Sequence, residues 1–215
     1  MKFELFDPKA GVRIRRSRLP HWYQPGVTYF VTFRTHDSVP QALLRSWHAR
    51  REQWLRQNGI DSSSPSWKSH LHKSAQLERD YHAIFTQRFM AYLDQGLGAC
   101  VLRQGNLARL VAECLRRFDG ERYHLGDSVV MPNHVHVLTC LLGSTDLASQ
   151  CRSWKKNSAI EVNKALGRKG RFWQEESFDH LVRSPEQFTY LQRYIADNPH
   201  KARLRTGEYL LYRAK

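Results

Sequence analysis

A short hairpin-like stretch constrains this fold more than any other part of the sequence. Residues 123–131 and 134–141 are rich in apolar and β-branched side chains, a composition that favours strands. Pro132-Asn133, between them, is a pair of typical turn residues. The sequence therefore predicts an antiparallel hairpin, and with it a sheet in which these two strands are neighbours.

The second predicted strand carries two histidines, His134 and His136, separated by one residue. Side chains alternate between the two faces of a strand, so both imidazoles are expected on one face. Val135 and Val137 are then expected on the other face, as apolar contacts. Two imidazoles held side by side by a strand form half of a divalent-metal site.

Helical patterns surround this hairpin on both sides. Leu107 to Phe118 repeats apolar residues at spacings of three and four and stops before Gly120, which predicts a helix. Other predicted elements are helices at about 40–57, 76–93, 145–166 and 184–198, and strands at 28–34 and 178–182. Pro199 is expected to end the last helix. This order predicts an α+β fold, an antiparallel sheet with helices on one face.

The composition favours a polyanionic partner. The chain has 215 residues, with 34 Lys+Arg against 20 Asp+Glu and a formal charge of +14. An excess this large, clustered beside aromatic residues, favours nucleic acid over a merely solvated surface. The four cysteines form no Cys-x-x-Cys pair, and no signal-peptide run or stretch of transmembrane length is present. These features predict a cytoplasmic protein with reduced thiols.

The last predicted helix offers what could complete a metal site. Tyr190, Tyr194 and Asn198 are four residues apart and share one stripe, beside an apolar stripe that must pack on the sheet. A phenol and an amide oxygen could therefore reach the histidine pair, and this set suits phosphodiester transfer. The residues alone favour a packing role for Tyr194 over a nucleophilic one.

Several segments resemble one family. Met131–Leu138 resembles the histidine–hydrophobic–histidine motif of the single-tyrosine HUH transposases. Further segments, in the same order over about residues 18–204, resemble the REP-associated tyrosine transposase branch: Leu19-Pro20-His21-Trp22, Thr28–Arg34, Phe172-Trp173-Gln174, Phe178-Asp179-His180, Tyr194-Ile195, Asn198-Pro199 and Lys201-Ala202. So many ordered matches favour a family relationship over chance. Residues 59–75 have no counterpart in this resemblance.

The resemblance implies a ferredoxin-like, RNA-recognition-motif-like core with His134 and His136 on a central strand. It implies that Tyr194 attacks single-stranded DNA near a REP-like hairpin and forms a 5′-phosphotyrosine link. By the family pattern, Asn198 is the third ligand, with the two histidines, of Mg²⁺ or Mn²⁺; a carboxylate would be the stronger ligand. Tyr190 is the competing nucleophile, interpreted as structural or DNA-stacking.

The implied organisation is one HUH transposase-like domain over residues 1–215. It has a basic N-terminal arm at about 10–22 and a helical insertion at about 38–98. The implied enzyme is a metal-dependent transposase that cleaves and rejoins single-stranded DNA, as a monomer or a homodimer.

Two basic clusters are predicted to bind the DNA. Their residues are Arg13, Arg15, Arg16, Arg18, His21 and Trp22 in the arm, and Lys155, Lys156, Arg168, Lys169 and Arg171 further along. The arm could track phosphates or enter a groove of a hairpin stem. Trp154 and Trp173 lie within the second cluster, where exposed rings would stack on bases, although Trp154 is better explained as a core residue.

The main alternative is a domesticated, non-catalytic hairpin DNA- or RNA-binding protein of the same fold. The joint presence of His134, His136, Tyr194 and Asn198 argues against it, because binding alone requires none of them. A cupin-type site is disfavoured because residues 139–144 contain no acidic residue. A structural zinc site is disfavoured because no Cys/His cluster supplies four ligands.

Overall fold

The computed structural model describes residues 3–15, 21–64, 67–72 and 74–214, with residues 13–15, 21–22, 68–69 and 72 described as backbone only. The strands are β1 (Arg13–Arg15), β2 (His21–Tyr23), β3 (Thr28–Arg34), β4 (Tyr123–Val130), β5 (His134–Leu141), β6 (Phe178–Leu181) and β7 (Leu210–Tyr212). The α-helices are α1 (Gln41–Gln57), α2 (Trp67–His72), α3 (Ala75–Tyr81), α4 (Arg88–Asp94), α5 (Gly105–Arg116), α6 (Leu147–Ala165) and α7 (Pro185–Lys201). A π-helical turn, His82–Gln87, joins α3 to α4, and a 3-10 turn, Val101–Arg103, precedes α5.

Five strands form the main sheet, in the order β6-β3-β5-β4-β7, and every neighbouring pair is antiparallel. The chain order β3-α5-β4-β5-α6-β6, combined with this strand order, is the ferredoxin-like topology. This confirms the predicted α+β class and places β5, the strand with the two histidines, at the centre of the sheet. The hairpin closes as predicted, with Met131 N donating to His134 O at 2.8 Å. The edge strand β7 was not predicted.

The two faces of the sheet have separate apolar cores. Val135 and Val137, both fully buried, belong to the core that α5 and α6 cover, as predicted for one helical face. The opposite face is also covered, because Leu191 and Ile195 of α7 pack there against Phe30 and other sheet residues. The histidines of β5 therefore point towards α7.

Helix α7 is longer than predicted. Ser184 caps its start by accepting a hydrogen bond from Gln187 N at 3.2 Å, as its sequence indicates. The expectation that Pro199 ends the helix is wrong, because Pro199 lies inside it and Lys201 is its last residue. A proline this close to a helix end removes only one backbone hydrogen bond. Asn198 is consequently held in regular helical geometry.

The segment between β3 and α5 forms a helical layer with its own apolar clusters. One cluster joins α1 to α4 through Val39, Leu44, Met90 and Leu93. The end of α4 is attached to the β4–β5 turn, because Asn133 Nδ2 donates to Leu93 O at 3.3 Å and to Leu97 O at 2.9 Å. This attachment brings the last residue of α4 to the face of the sheet that carries the histidines.

The predicted N-terminal arm is only partly within the described residues. β1 pairs with β2 in an antiparallel ribbon apart from the main sheet. Arg16 and Arg18 lie outside the described residues, and so do the side chains of Arg13, Arg15, His21 and Trp22. All four cysteines are free thiols. Within the described ranges, no helix has the length and apolar character needed to cross a membrane.

Candidate metal and nucleophile site

His134 and His136 are fully buried, with ring centroids 4.7 Å apart. Each ring is oriented by a hydrogen bond at Nδ1. His134 Nδ1 donates to Asn133 Oδ1 at 2.7 Å, and His136 Nδ1 lies 2.7 Å from Thr32 Oγ1. Both Nε2 atoms are buried without a hydrogen bond to any described residue. A metal-binding imidazole is typically held in this way, with one nitrogen fixed by a neighbour and the other open to the ion.

Asp94, the last residue of α4, completes a group of three ligands. Its Oδ1 lies 3.6 Å from His134 Nε2, and the ligand atoms of Asp94, His134 and His136 all lie within 4.8 Å of one another. Asp94 is not among the site residues predicted from the sequence. No local motif marks it, because it reaches the histidines only through the packing of α4 against the hairpin turn. The one signal available was chemical, since a carboxylate was expected to be a stronger ligand than an amide.

The charge states of these residues suit a divalent cation. Burial lowers the pKa of His134 to about 3 and that of His136 well below its ordinary value, so both are neutral near pH 7. Burial also raises the pKa of Asp94 to about 6, against the opposing effects of Asn198 and Lys201. Two neutral nitrogen donors and one carboxylate fit a divalent ion such as Mn²⁺ or Mg²⁺.

Tyr194 and Asn198 of α7 lie beside this group. The Tyr194 ring is 5.2 Å from the His136 ring between centroids, and its hydroxyl is buried with no hydrogen bond among the described residues. Burial, with a smaller contribution from Asp94, raises the pKa of Tyr194. Asn198 is fully buried and lies close enough to Asp94, His134 and Tyr194 to influence the pKa of each. Neither its Oδ1 nor its Nδ2 has a partner in good hydrogen-bond geometry among the described residues. The fold thus brings all four site residues predicted from the sequence into one place.

Two further residues of α7 surround the phenol. Lys201 Nζ lies 5.2 Å from the centroid of the Tyr194 ring, a cation–π distance. Tyr190 stacks loosely on Tyr194, with centroids 6.4 Å apart, and is 60% exposed. Tyr194 is therefore the tyrosine of this stripe whose hydroxyl is enclosed with the histidines.

The second predicted basic cluster is largely exposed, at Lys156, Arg168, Lys169 and Arg171. Lys155 is half-buried, with Nζ donating to Glu175 O at 2.5 Å.

Both tryptophans of this cluster are buried, which confirms Trp154 as a core residue and shows that the interpretation of Trp173 as a base-stacking residue is wrong. Trp154 donates from Nε1 to Tyr123 Oη at 2.9 Å, and Trp173 donates to Ser158 Oγ at 2.9 Å. A buried indole with a satisfied N–H is a core residue.

Comparison with known proteins gave structural likenesses only. No family model matches this chain, and no curated protein matches it. The chain is similar to the structure of a REP-associated tyrosine transposase bound to a REP hairpin, with 20% sequence identity and a TM-score of 0.43, covering 84% of this chain and 71% of the other. It is also similar to a transposase candidate from Deinococcus radiodurans, with 14% identity and a TM-score of 0.29, covering 82% of this chain and 93% of the other.

Proposed function

We propose that this protein is a metal-dependent, transposase-type enzyme that cleaves and rejoins single-stranded DNA near a hairpin through a phosphotyrosine intermediate on Tyr194. One observation carries the proposal. Buried polar atoms of His134, His136, Asp94, Tyr194 and Asn198 converge on one place, and none of these atoms has a partner in good hydrogen-bond geometry within the described part of the chain. Polar atoms are costly to bury unpaired, so such a convergence indicates that a ligand completes the site.

Each residue has a role that follows from its position. His134, His136 and Asp94 would hold the ion, and the amide oxygen of Asn198, predicted as a ligand from the family resemblance, is placed to take a further position. When bound, the ion would polarise the scissile phosphate and stabilise its developing charge. Lys201, with Nζ 5.2 Å from the centroid of the Tyr194 ring, packs a positive charge against the ring of the proposed nucleophile.

The chemical step exchanges one phosphodiester for another. The Tyr194 oxygen attacks phosphorus, a bond from phosphorus to the phenolic oxygen forms, and the bond from phosphorus to the 3′ oxygen breaks. The phenol loses its proton to solvent, and the departing 3′ oxygen gains one and becomes a hydroxyl. The reverse attack by a 3′-hydroxyl restores the DNA and frees Tyr194, so the same site cleaves and rejoins strands.

Incubation with a hairpin-bearing single-stranded oligonucleotide and Mn²⁺ tests the proposal. We expect a covalent protein–DNA adduct on denaturing gels, formed by the wild type and by Tyr190→Phe. Tyr194→Phe, which keeps the ring and removes the nucleophile, should form none. An adduct that persists in Tyr194→Phe would exclude Tyr194 as the nucleophile. If the wild type binds the hairpin and Mn²⁺ but forms no adduct, the protein is a non-catalytic nucleic-acid-binding member of the same fold.

A further inference from the structure

A cleft of about 540 Å³ opens beside the candidate site, between the helical segment α1–α4 and the β6–α7 region. Asp94 and Tyr194 lie in its lining, so the cleft is continuous with the place where a scissile phosphate would lie. Its volume is in the range of pockets that enclose a ligand of about the size of a nucleotide (~300–1,000 Å³). The other residues that line the cleft indicate what kind of ligand it binds.

Arg34 supplies a positive charge in this cleft. It is the cross-strand neighbour of His134 in the β3–β5 pairing, so its side chain lies on the same face of the sheet. It donates to Ser38 Oγ at 3.3 Å and lies 5.2 Å from the centroid of the Phe89 ring. No carboxylate in the described part of the chain forms an ion pair with it. Burial lowers the pKa of Arg34 to about 10, at which it is still charged at neutral pH.

A largely buried guanidinium that no carboxylate contacts directly is costly, and an anion bound in the cleft would offset that cost. The carboxylates in the lining do not fill this role. Glu78 is paired with Arg183 at 3.0 Å, and Asp94 belongs to the metal site. Glu176 is near enough to act electrostatically on Arg34, but it forms no ion pair with it within the described residues. A phosphate is the anion that an arginine fork fits best.

Aromatic rings supply the other half of the lining. Trp47 and Phe89 meet edge to face, with centroids 4.8 Å apart, and Phe89 carries the Arg34 guanidinium on its ring. Tyr190, at the entrance, exposes most of its side chain next to Tyr194. Aromatic rings beside a cation form the pattern that binds single strands, in which bases stack on rings and phosphates meet arginines.

We infer that this cleft binds an unstacked nucleotide of single-stranded DNA next to the scissile phosphate, with its base on Tyr190 and the neighbouring rings and its phosphate on Arg34. This inference rests on the proposed function for the position of the scissile phosphate. It assigns a substrate-binding role to the helical segment, whose α1 and α4 form one wall of the cleft.

Stacking and phosphate binding are separable with two probes of equal length: a fluorescein-labelled single-stranded oligo(dT), and an abasic oligomer with the same phosphates and no bases. We expect Tyr190→Ala to weaken oligo(dT) binding by about 5- to 100-fold, measured by fluorescence anisotropy. It should leave binding of the abasic oligomer unchanged. Tyr190→Phe should match the wild type, and so should Ile160→Ala, which removes an exposed apolar side chain from α6. Equal losses on both probes, or no loss on oligo(dT), would overturn the stacking role.

Arg34→Gln should weaken the binding of both probes, because both carry phosphates. It should also lower the slope of log Kd against log salt concentration by about 0.7, the value for one phosphate contact on a single strand. Arg109→Gln removes the same charge from an exposed position on α5 and is the matched control. A salt slope unchanged by Arg34→Gln would remove Arg34 from the interface.

The adduct assay separates this inference from the proposed function. If the wild type forms the Tyr194 adduct but neither Tyr190→Ala nor Arg34→Gln changes binding, the nucleotide lies elsewhere and the cleft assignment fails alone. If both changes act as expected but no adduct ever forms, the cleft stands and the enzymatic proposal fails.

Discussion

Asn133 and His134 are adjacent in sequence and joined by their side chains, with His134 Nδ1 donating to Asn133 Oδ1 at 2.7 Å. The same Asn133 side chain donates from Nδ2 to the backbone at the end of α4, which carries Asp94. A single amide therefore orients one candidate ligand and fixes the helix that provides another. The oxygen of this amide accepts the hydrogen bond from His134, and its nitrogen donates the two hydrogen bonds to the end of α4.

This double role predicts a large effect for Asn133. Asn133→Ala should weaken Mn²⁺ binding by about 10- to 100-fold, because outer partners of metal ligands typically contribute that much. Isothermal titration calorimetry of the refolded, chelator-treated protein measures the change. Asn163→Ala, which removes another side-chain hydrogen bond to a backbone carbonyl, at Gly170 O, is a control away from the site. Unchanged Mn²⁺ affinity in Asn133→Ala would contradict this role.

The third ligand can be identified by exchanging amide and carboxylate groups. Asp94→Asn keeps the shape and removes the charge, and we expect it to weaken Mn²⁺ binding by at least about tenfold. Asn198→Asp adds a carboxylate and should strengthen Mn²⁺ binding if Asn198 Oδ1 is a ligand. If Asp94→Asn has no effect and Asn198→Ala abolishes binding, the ligand set predicted from the sequence is correct and Asp94 is not a ligand.

The pH dependence of metal binding should follow Asp94 and not the histidines. The raised pKa of Asp94, about 6, means that its carboxyl group must lose a proton before it binds a cation at lower pH. His134, with a pKa lowered to about 3, is already neutral there. We expect Mn²⁺ affinity to be constant above about pH 7 and to fall about tenfold per pH unit below about pH 6. Asp94→Asn should remove this dependence between pH 4 and 6, and a dependence that persists in Asp94→Asn would contradict the assignment.

The same raised pKa predicts an effect on the stability of the metal-free protein. An acid whose pKa is higher in the folded than in the unfolded state contributes stability at low pH, and that contribution is lost as pH rises through about 6. Asp94→Asn should therefore raise the free energy of unfolding at pH 8, by up to about 3 kcal/mol for a shift of this size. The gain should disappear towards pH 4. Urea unfolding in the presence of a chelator at both pH values measures it, and an equal gain at pH 4 would show that desolvation of the charge is not its cause.

Local patterns were sufficient for much of the site. The alternation of β5 placed both histidines on one face, and the spacing of four on α7 placed Tyr194 and Asn198 on one stripe. These periods are set by backbone geometry and need no knowledge of the rest of the fold. They do not say which side chains of a connecting segment are buried by tertiary packing, and for this reason Trp173, which bridges to Thr35, was misread as a base-stacking residue.

Asp94 shows what local patterns cannot supply. Its distance from His134 is a property of tertiary packing across 40 residues, which depends on how α4 meets the hairpin turn. The same is true of Arg34, whose neighbours became known only through the register of β3 with β5. For both Asp94 and Arg34, the sequence gives the charge of the side chain but not the residues that lie next to it in the fold.

The attachment of α4 to the β4–β5 turn has a kinetic consequence. The two imidazoles are fixed by the central strand, whereas the carboxylate belongs to α4, a helix outside the sheet that Asn133 attaches to the turn. Local opening of α4 would leave a bound ion on two neutral nitrogens, and this is the expected exit route for the metal. The residence time of the ion would then report how often this helix opens, well before the sheet itself unfolds.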